Sequence, residues 1–302
     1  MSRRIVVALG GNALLRRGEP LTEANQQRNA EAAALALAGI AEEDQLVVTH
    51  GNGPQVGLLA LESEAYEEVP AYGLAVLGAE SQGMIGFLLQ QALRSAIPGR
   101  TVATLLTTVL VDASDEAFTQ STKPVGPVYS RNRARRLAQT RGWQLASDGD
   151  GFRRVVPSPE PVDILEMEAI SVLVESDVLL ICSGGGGVPV VEATDGRLRG
   201  VEAVVDKDLT SAMLAERLHA DHLLLLTDVS NVELNWGTPD AMALRETTVD
   251  ELRQHSFQTG SMGPKVEAAC RFVERTGRPA SIGALSDAPR ILAGAAGTQI
   301  YP

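Results

Sequence analysis

The sequence predicts an α/β protein built on a mainly parallel sheet, with a small subdomain inserted near its middle. Short runs rich in Val, Ile and Leu recur between longer Ala-rich amphipathic segments. Within those runs the apolar residues are continuous rather than alternating, as expected of strands covered on both faces by helical crossovers. One stretch, residues 112–161, breaks the pattern with clustered prolines and arginines. Hydrophobic residues make up 44% of the 302, enough for a sizeable core.

The first run, Ile5 to Leu9, follows Arg3 and Arg4 and superficially has the start of a secretory leader. Gly10, Gly11 and Asn12 interrupt it too early and Arg16 and Arg17 close it, so it reads as a strand. A helix is predicted from Thr22, a favoured cap, and a second strand from Gln45 to His50. A long apolar helix from about Ala71 to Ile97 carries Gly78, Gly83 and Gly86 on or near one side. Small residues there let another helix come close, which predicts a homodimer, although burial inside one subunit accounts for the pattern nearly as well. A third strand is predicted over Thr101 to Thr108.

Pro124, Pro127, Pro157, Pro159 and Pro161, together with Arg131, Arg133, Arg135, Arg136 and Arg141, then mark an inserted lid or hairpin subdomain over residues 112–161. On a chain of net charge -12 the arginines read as a solvated face rather than a dock for an acidic partner. Beyond it the alternation resumes: a helix from Asp163, a strand from Val178 to Cys182, a helix from Asp206, a strand from His222 to Thr227, a helix from Pro264 and a strand from Pro279 to Ile282. No uninterrupted apolar stretch approaches the roughly 20 residues that a membrane helix needs. The net charge argues against nucleic-acid and anionic-membrane partners. Cys182 and Cys270 offer neither a disulfide framework nor metal-ligand spacing, which fits a reducing cytosol.

Three lysines, Lys123, Lys207 and Lys265, stand against twenty-three arginines. A compositional drift towards Arg would leave a few lysines by accident. All three, however, are flanked by Gly, Pro or Asp rather than placed on amphipathic helix faces, and a compact ammonium is not interchangeable with a guanidinium against a moving phosphoryl group. They are the first catalytic candidates. The strand ends supply a matching environment: Gly10-Gly11-Asn12 after the first strand, His50-Gly51-Asn52-Gly53 after the second and Ser183 with four glycines, Gly184 to Gly187, after the fourth. In an open parallel sheet such loops line the ligand crevice, and glycines let main-chain N–H groups approach an anion. Three of them favour a phosphate or carboxylate site over three independent tight turns.

Neither the P-loop spacing nor the dinucleotide fingerprint is present, no G-x-S-x-G elbow occurs, and the four histidines lack metal-like spacing. His50 reads as a hydrogen-bonded structural residue rather than a proton carrier. Phosphoryl transfer needs positioned cations and main-chain donors more than covalent help. Asp206-Lys207-Asp208 at a helix start and Lys265 in the first turn of a later helix supply them. Asp208 is read as the organiser of two lysines and Asp206 as a helix cap.

LGGNAL (Leu9 to Leu14), THGNGPQVGLL (Thr49 to Leu59), ESQGMIG (Glu80 to Gly86), KPVGPVY (Lys123 to Tyr129), CSGGGGVPV (Cys182 to Val190), VDKDL (Val205 to Leu209) and GSMGPKVEA (Gly260 to Ala268) together resemble the carbamate kinases of the amino acid kinase superfamily. The glycine loops are generic to the superfamily, whereas HGNGPQ, KPVGPVY and GSMGPKVEA together are specific to carbamate kinases and close relatives. The resemblance implies one domain over residues 1–302, a three-layer αβα sandwich whose N-terminal half binds the acyl substrate and whose part from about residue 206 binds the nucleotide. It implies reversible transfer between ATP and carbamate, giving ADP and carbamoyl phosphate, with Mg²⁺ on the nucleotide phosphates. By the same resemblance Gly10, Gly11 and Asn12 would meet the transferring group, and Gly51, Asn52 and Gly53 the carbamate end. Gly184, Gly185, Thr227, Asp228, Val232, Ser261, Met262 and Gly263 would meet the nucleotide. Lys123 would reach in from the lid, Lys207 and Lys265 would neutralise developing charge, and Asp208 would orient both. Soon after Val232, where relatives often carry an aromatic near the adenine, this chain has Glu233. Two other readings stand beside this one. The first is a sibling kinase acting on another small acid or on a phosphate or phosphonate; the second is a nucleotide-binding regulator without turnover.

Overall fold

Every residue from Ile5 to Leu9 is fully buried, because the strand Arg4–Leu9 (β1) lies inside an eight-stranded sheet with helices on both faces. The structure, a computed structural model, describes residues 2–16, 18–257 and 262–302, and of Asn12 and Ala13 the backbone alone. A one-turn helix, Gly11–Leu14 (α1), leads to Glu23–Glu43 (α2), where the Thr22 hydroxyl accepts the Asn25 N–H and fixes the start. Gln45–His50 (β2), Gly53–Ala65 (α3), Leu74–Ala96 (α4) and Val102–Thr104 (β3) follow.

The strand predicted over 101–108 divides here. Val102–Thr104 stays in the large sheet, while Thr108–Val111 (β4) joins a second sheet. At the break the buried Gln82 amide of α4 accepts the Thr107 N–H (2.9 Å) and donates to the Thr107 carbonyl (3.0 Å), replacing the ladder bonds that would have continued the strand. Lys123–Tyr129 (β5), Arg131–Arg141 (α5), Leu145–Asp148 (β6) and Gly151–Val156 (β7) form a separate antiparallel sheet, β5-β7-β6, with α5 against it. Arg131, Arg133, Arg135, Arg136 and Arg141 are all exposed, as a solvated face requires, and two of them also lie over rings, Arg131 over Phe152 and Arg133 over Tyr129, at 5.8 and 5.6 Å from the ring centroids.

The helix expected from Asp163 begins later. Pro161–Ile164 (β8) pairs with β4, Asp163 opposite Leu110, and the helix Met167–Glu175 (α6) starts only beyond Glu166. The Glu166 carboxylate accepts the backbone N–H and the hydroxyl of Thr108, both at 2.7 Å, so strand pairing overrides the local cap signal. Leu179–Ile181 (β9) returns to the large sheet, and Val188–Glu192 (β10) and Leu198–Gly200 (β11) complete the second one. Lys207–Arg217 (α7), His222–Thr227 (β12), the hairpin Val232–Leu234 (β13) and Met242–Leu244 (β14), Glu246–Thr248 (β15), Val249–Arg253 (α8), Met262–Thr276 (α9), Ala280–Ala284 (β16), Ala288–Leu292 (α10) and Thr298–Tyr301 (β17) finish the chain.

The large sheet runs β15-β17-β16-β12-β1-β2-β9-β3 and is parallel except between β16 and β17. Alternate residues of β1 serve opposite faces. Val6 and Ala8 pack towards α6, α7 and α9, and Ile5, Val7 and Leu9 towards α2, α4 and α10, which makes three layers. A smaller cluster, Val56, Ala60, Leu74, Leu77, Val125 and Val156, seats the β5-β7-β6 sheet on α3 and α4.

Candidate active site

Four adjacent parallel strands, β12, β1, β2 and β9, deliver their following loops to one edge of the sheet. The loops touch. Gly10 N donates to Leu226 O (2.9 Å) and Gly51 N to Leu9 O (3.1 Å). A Cβ on Gly51 would stand 3.2 Å from Gly11 N, so the first two glycine loops pack main chain to main chain. The third folds over the second: a Cβ on Gly184 would lie 2.4 Å from His50 Nε2, and one on Gly185 2.1 Å from Asn52 Nδ2. Gly185 also needs its left-handed φ of +66°. Asn52 Nδ2 donates to Ser81 Oγ of α4 (2.8 Å), and Thr210 Oγ1 of α7 donates to Gly186 O (3.0 Å). His50 is buried with Nδ1 3.1 Å from Gly51 O, and burial pulls its pKa down to about 4, leaving a neutral ring at pH 7.

The lysines meet at the start of α7. Asp206 Oδ1 accepts the N–H groups of Asp208 (2.8 Å) and Leu209 (3.3 Å), capping the helix, and Asp206 Oδ2 accepts from the Lys123 ammonium of β5. Asp208 Oδ1 accepts from Lys207 Nζ, and Asp208 Oδ2 from Lys265 Nζ at 3.2 Å. Asp208 and Lys265 are 4% and 9% exposed, so this triad sits out of water. Burial alone would raise the Asp208 pKa, but the two ammonium groups hold it well below the usual carboxylate range. Burial depresses Lys207, aided by the like charge of Lys265, against the pull of Asp208. For Lys265 burial acts in the same sense but is outweighed by the charge and hydrogen bond of Asp208, so its pKa is raised. Three ammonium groups against two carboxylates leave one net positive charge beside an eleven-residue helix's N-terminus, an arrangement suited to an anion.

The structure thus brings together Lys123, Lys207, Asp208 and Lys265, with Gly10, Gly11, Gly51, Asn52 and Gly53 along the same edge. Gly184 and Gly185, read with the nucleotide, stand against His50 and Asn52 at the β2 and β9 ends, three strand positions from Thr227. Thr227 and Asp228 close β12, the Thr227 hydroxyl donating to Asp228 Oδ1 at 3.2 Å. Val232 is fully buried in the core and its N–H donates to Thr298 Oγ1 (2.9 Å), so neither its side chain nor its amide faces the crevice. Glu233 is half-buried on β13 opposite Ala243. Met262 and Gly263 open α9, one turn before Lys265. Ser261 and the Asn12 side chain lie outside the described residues. Reading the sequence missed the second bond of Asp206 and the buried amide of Gln82. The signal for Gln82 was present as a polar break, Glu80-Ser81-Gln82, between the apolar turns of α4. Among the described residues no group of three or more His, Cys, Asp or Glu could hold a metal ion.

The amino acid kinase family matches residues 3–284 of the chain. A carbamate kinase of Haemophilus influenzae is 51% identical over 98% of this chain and 96% of its own length. One of Pyrococcus furiosus is 47% identical over the whole of both. A solved structure of carbamate kinase from Giardia lamblia bound to AMP-PNP superposes with a TM-score of 0.90 at 40% identity, covering 99% of this chain and 98% of that one. The chain therefore belongs to the amino acid kinase family, and within it to the carbamate kinases, which are phosphotransferases.

Proposed function

We propose that this site transfers a phosphoryl group reversibly between ATP and carbamate, giving ADP and carbamoyl phosphate. The observation that carries the reading is the convergence of Lys123, Lys207 and Lys265 on two neighbouring carboxylates at the start of α7. Phosphoryl transfer spreads charge over three equatorial oxygens, and fixed cations in a water-poor site stabilise that charge without reorganising. Lys207 and Lys265, held by Asp208, supply it from the frame, and Lys123 from the inserted sheet, which acts as a lid. Gly10, whose own N–H is held by Leu226 O, turns the chain so that the main-chain N–H groups of Gly11 and Asn12 take the transferring group, while Gly51, Asn52 and Gly53 take the acceptor. Gly184 and Gly185, which stand against Asn52, bring the phosphate end of the nucleotide to that acceptor; the Thr227, Asp228, Met262 and Gly263 end takes the rest of it. A carboxylate-type acceptor is already an anion and needs no general base, which agrees with a neutral, buried His50.

The nucleotide analogue bound by the Giardia relative supports ATP and ADP as the nucleotides. Asp206 and Asp208 are committed to ammonium groups, which fits a Mg²⁺ ion that enters on the nucleotide phosphates and takes its oxygen ligands from them. When bound, the ion would supply charge neutralisation on the nucleotide phosphates. Two copies of the chain are proposed to pair through α4, whose outer side exposes Val76, Gly83 and Phe87; light scattering returning a monomer would overturn the pairing. A cytoplasmic setting agrees with two free, buried thiols, and no helix among the described residues is long and apolar enough to cross a membrane.

The deciding assay is coupled ATP formation from ADP and carbamoyl phosphate with Mg²⁺. Formation well above the spontaneous-decay control is expected. ATP no faster than that control from folded protein would sink the carbamate assignment and favour a sibling acceptor, another small acid or a phosphate or phosphonate.

A further inference from the structure

We infer that Asp206 is a positioning residue with two separate tasks: one carboxylate oxygen holds the start of α7, and the other receives the Lys123 ammonium and seats the inserted sheet over the strand edge. The tasks fall on different atoms. Oδ1 takes both helix N–H groups, Asp208 at 2.8 Å and Leu209 at 3.3 Å, whereas Oδ2 takes Lys123. A cap needs only the first oxygen, and Ser, Thr or Asn supplies it as well as Asp does. Only a carboxylate adds a second, charged oxygen that can hold an ammonium from another part of the fold.

The inserted sheet needs such a contact. Its apolar footing on α3 and α4 is six buried side chains, and apolar contact, being non-directional, sets how close the sheet lies without settling where its corner points. Lys123 is that corner: it is the first residue of β5 and pairs with Val156, the last of β7. Asp206, 83 residues away and 7% exposed, is a rigid anchor because its other oxygen is already held by the helix. An ammonium carries three donors, so the bond to Asp206 leaves two for a phosphoryl oxygen. Asp206 therefore aims the lysine without consuming it. The two carboxylates of the D-K-D segment divide the work: Asp208 holds the two lysines of the frame, and Asp206 holds the one that arrives with the insertion.

The consequence for turnover rests on the proposed reaction, so the test has one arm that does not. Asp206→Ser and Asp206→Asn both keep a cap and remove the charged oxygen. In the free proteins, hydrogen exchange in β5 and β7 is expected to quicken at least severalfold while α7 stays as protected as in wild type, and Lys123→Ala should give the same pattern. In the ATP-forming assay kcat is expected to fall about tenfold or more with ADP affinity unchanged, and Asp206→Ser combined with Lys123→Ala should be no slower than Lys123→Ala alone. Unchanged exchange in β5 and β7 would overturn the inference. So would loss of α7 protection in both variants, which would make Asp206 a cap alone. A wild-type protein that forms no ATP would sink the proposed reaction while leaving the exchange result to decide the role of Asp206.

Discussion

The frame and the inserted sheet hold their lysines in opposite ways. Lys207 and Lys265 lie in the three-layer body, side chains 10% and 11% exposed, and share one carboxylate whose own surroundings are buried. Lys123 stands on a small antiparallel sheet, a third exposed, and reaches the same place through one ion pair. The frame is built on two large apolar clusters that sandwich continuous strands. The inserted sheet is backed by Tyr129, Ala134 and Leu137 and by its footing on α3. Between Lys123 and Val156 it also gathers eight basic residues against two acidic ones, in a chain of net charge -12. A unit with little buried apolar surface opens more readily than the body it rests on. On the proposed reaction, the contrast would separate a fixed half of the charge stabilisation from a half that exists only when the sheet is seated.

Removing Asp208 should break the fixed half outright. Asp208→Ala leaves two ammonium groups out of water without a counter-charge, so a stability loss of about 3–5 kcal/mol and loss of turnover are expected. Urea unfolding and the ATP-forming assay check both; an active variant of near-normal stability would show that the frame does not depend on this triad. In the wild type the sign follows from the depressed pKa: the contribution of Asp208 is complete above its unfolded value of about 3.9 and is lost as pH falls below it.

Breaking the seated half should cost activity rather than stability. Lys123→Ala is expected to lower kcat by on the order of 10²-fold, with ADP affinity and the unfolding midpoint little changed. Lys123→Arg should rescue poorly, since a planar guanidinium does not replace a point-like ammonium between two oxygens. Parallel loss of ADP binding in Lys123→Ala, by a direct titration, would erase the distinction between the two halves.

A gentler perturbation leaves every charge in place. Gly57 of α3 meets Gly126 of β5, where a Cβ would stand only 1.9 Å from Gly126 Cα. Gly126 takes a φ of +76° at the irregular point of the β5–β7 pairing, which is how the strand comes so near the helix. Gly57→Ala must push the inserted sheet off its footing and carry Lys123 away from Asp206. A misplacement of about 1 Å can cost up to 10²-fold, so a roughly ten- to hundredfold fall in kcat is expected with the unfolding midpoint of the frame nearly intact. Wild-type kcat in this variant would show that the sheet adapts and that its seating is not critical.

The smallest effect is reserved for mild acid. His50 and His222 are buried and held neutral, each with its pKa pulled from 6.5 to about 4 by burial. The unfolded chain takes up protons that the folded frame refuses, so stability falls as pH drops through the window from 6.5 to 4. Between pH 7 and pH 6 the two together should cost roughly 1 kcal/mol. All four histidines lie outside residues 112–161, so the loss belongs to the frame. Urea midpoints at the two pH values check it, and replacing both residues with Asn should flatten the difference.

Continuous apolar runs were enough to place β1, β2, β9 and β12, because strands buried on both faces leave no polar face to hide the signal. Thr22 and Asp206 marked helix starts because a cap is a local bond within three residues. The three lysines stood out as candidates through their neighbours in the chain. The sequence by itself therefore determined these buried strands, these caps and which residues carry the charge. The tertiary structure decided the rest. It divided residues 102–111 between two sheets through the Gln82 amide, and it turned Asp163 into a strand residue because β4 was there to pair with it. It buried Val232 beneath Thr298, set Gly184 and Gly185 against the His50–Asn52 loop, and joined Lys123 to a carboxylate 83 residues away. Caps and periodicities are settled by neighbours along the chain, whereas an ion pair between an inserted sheet and a helix start depends on how separate layers pack, and no local pattern encodes that distance.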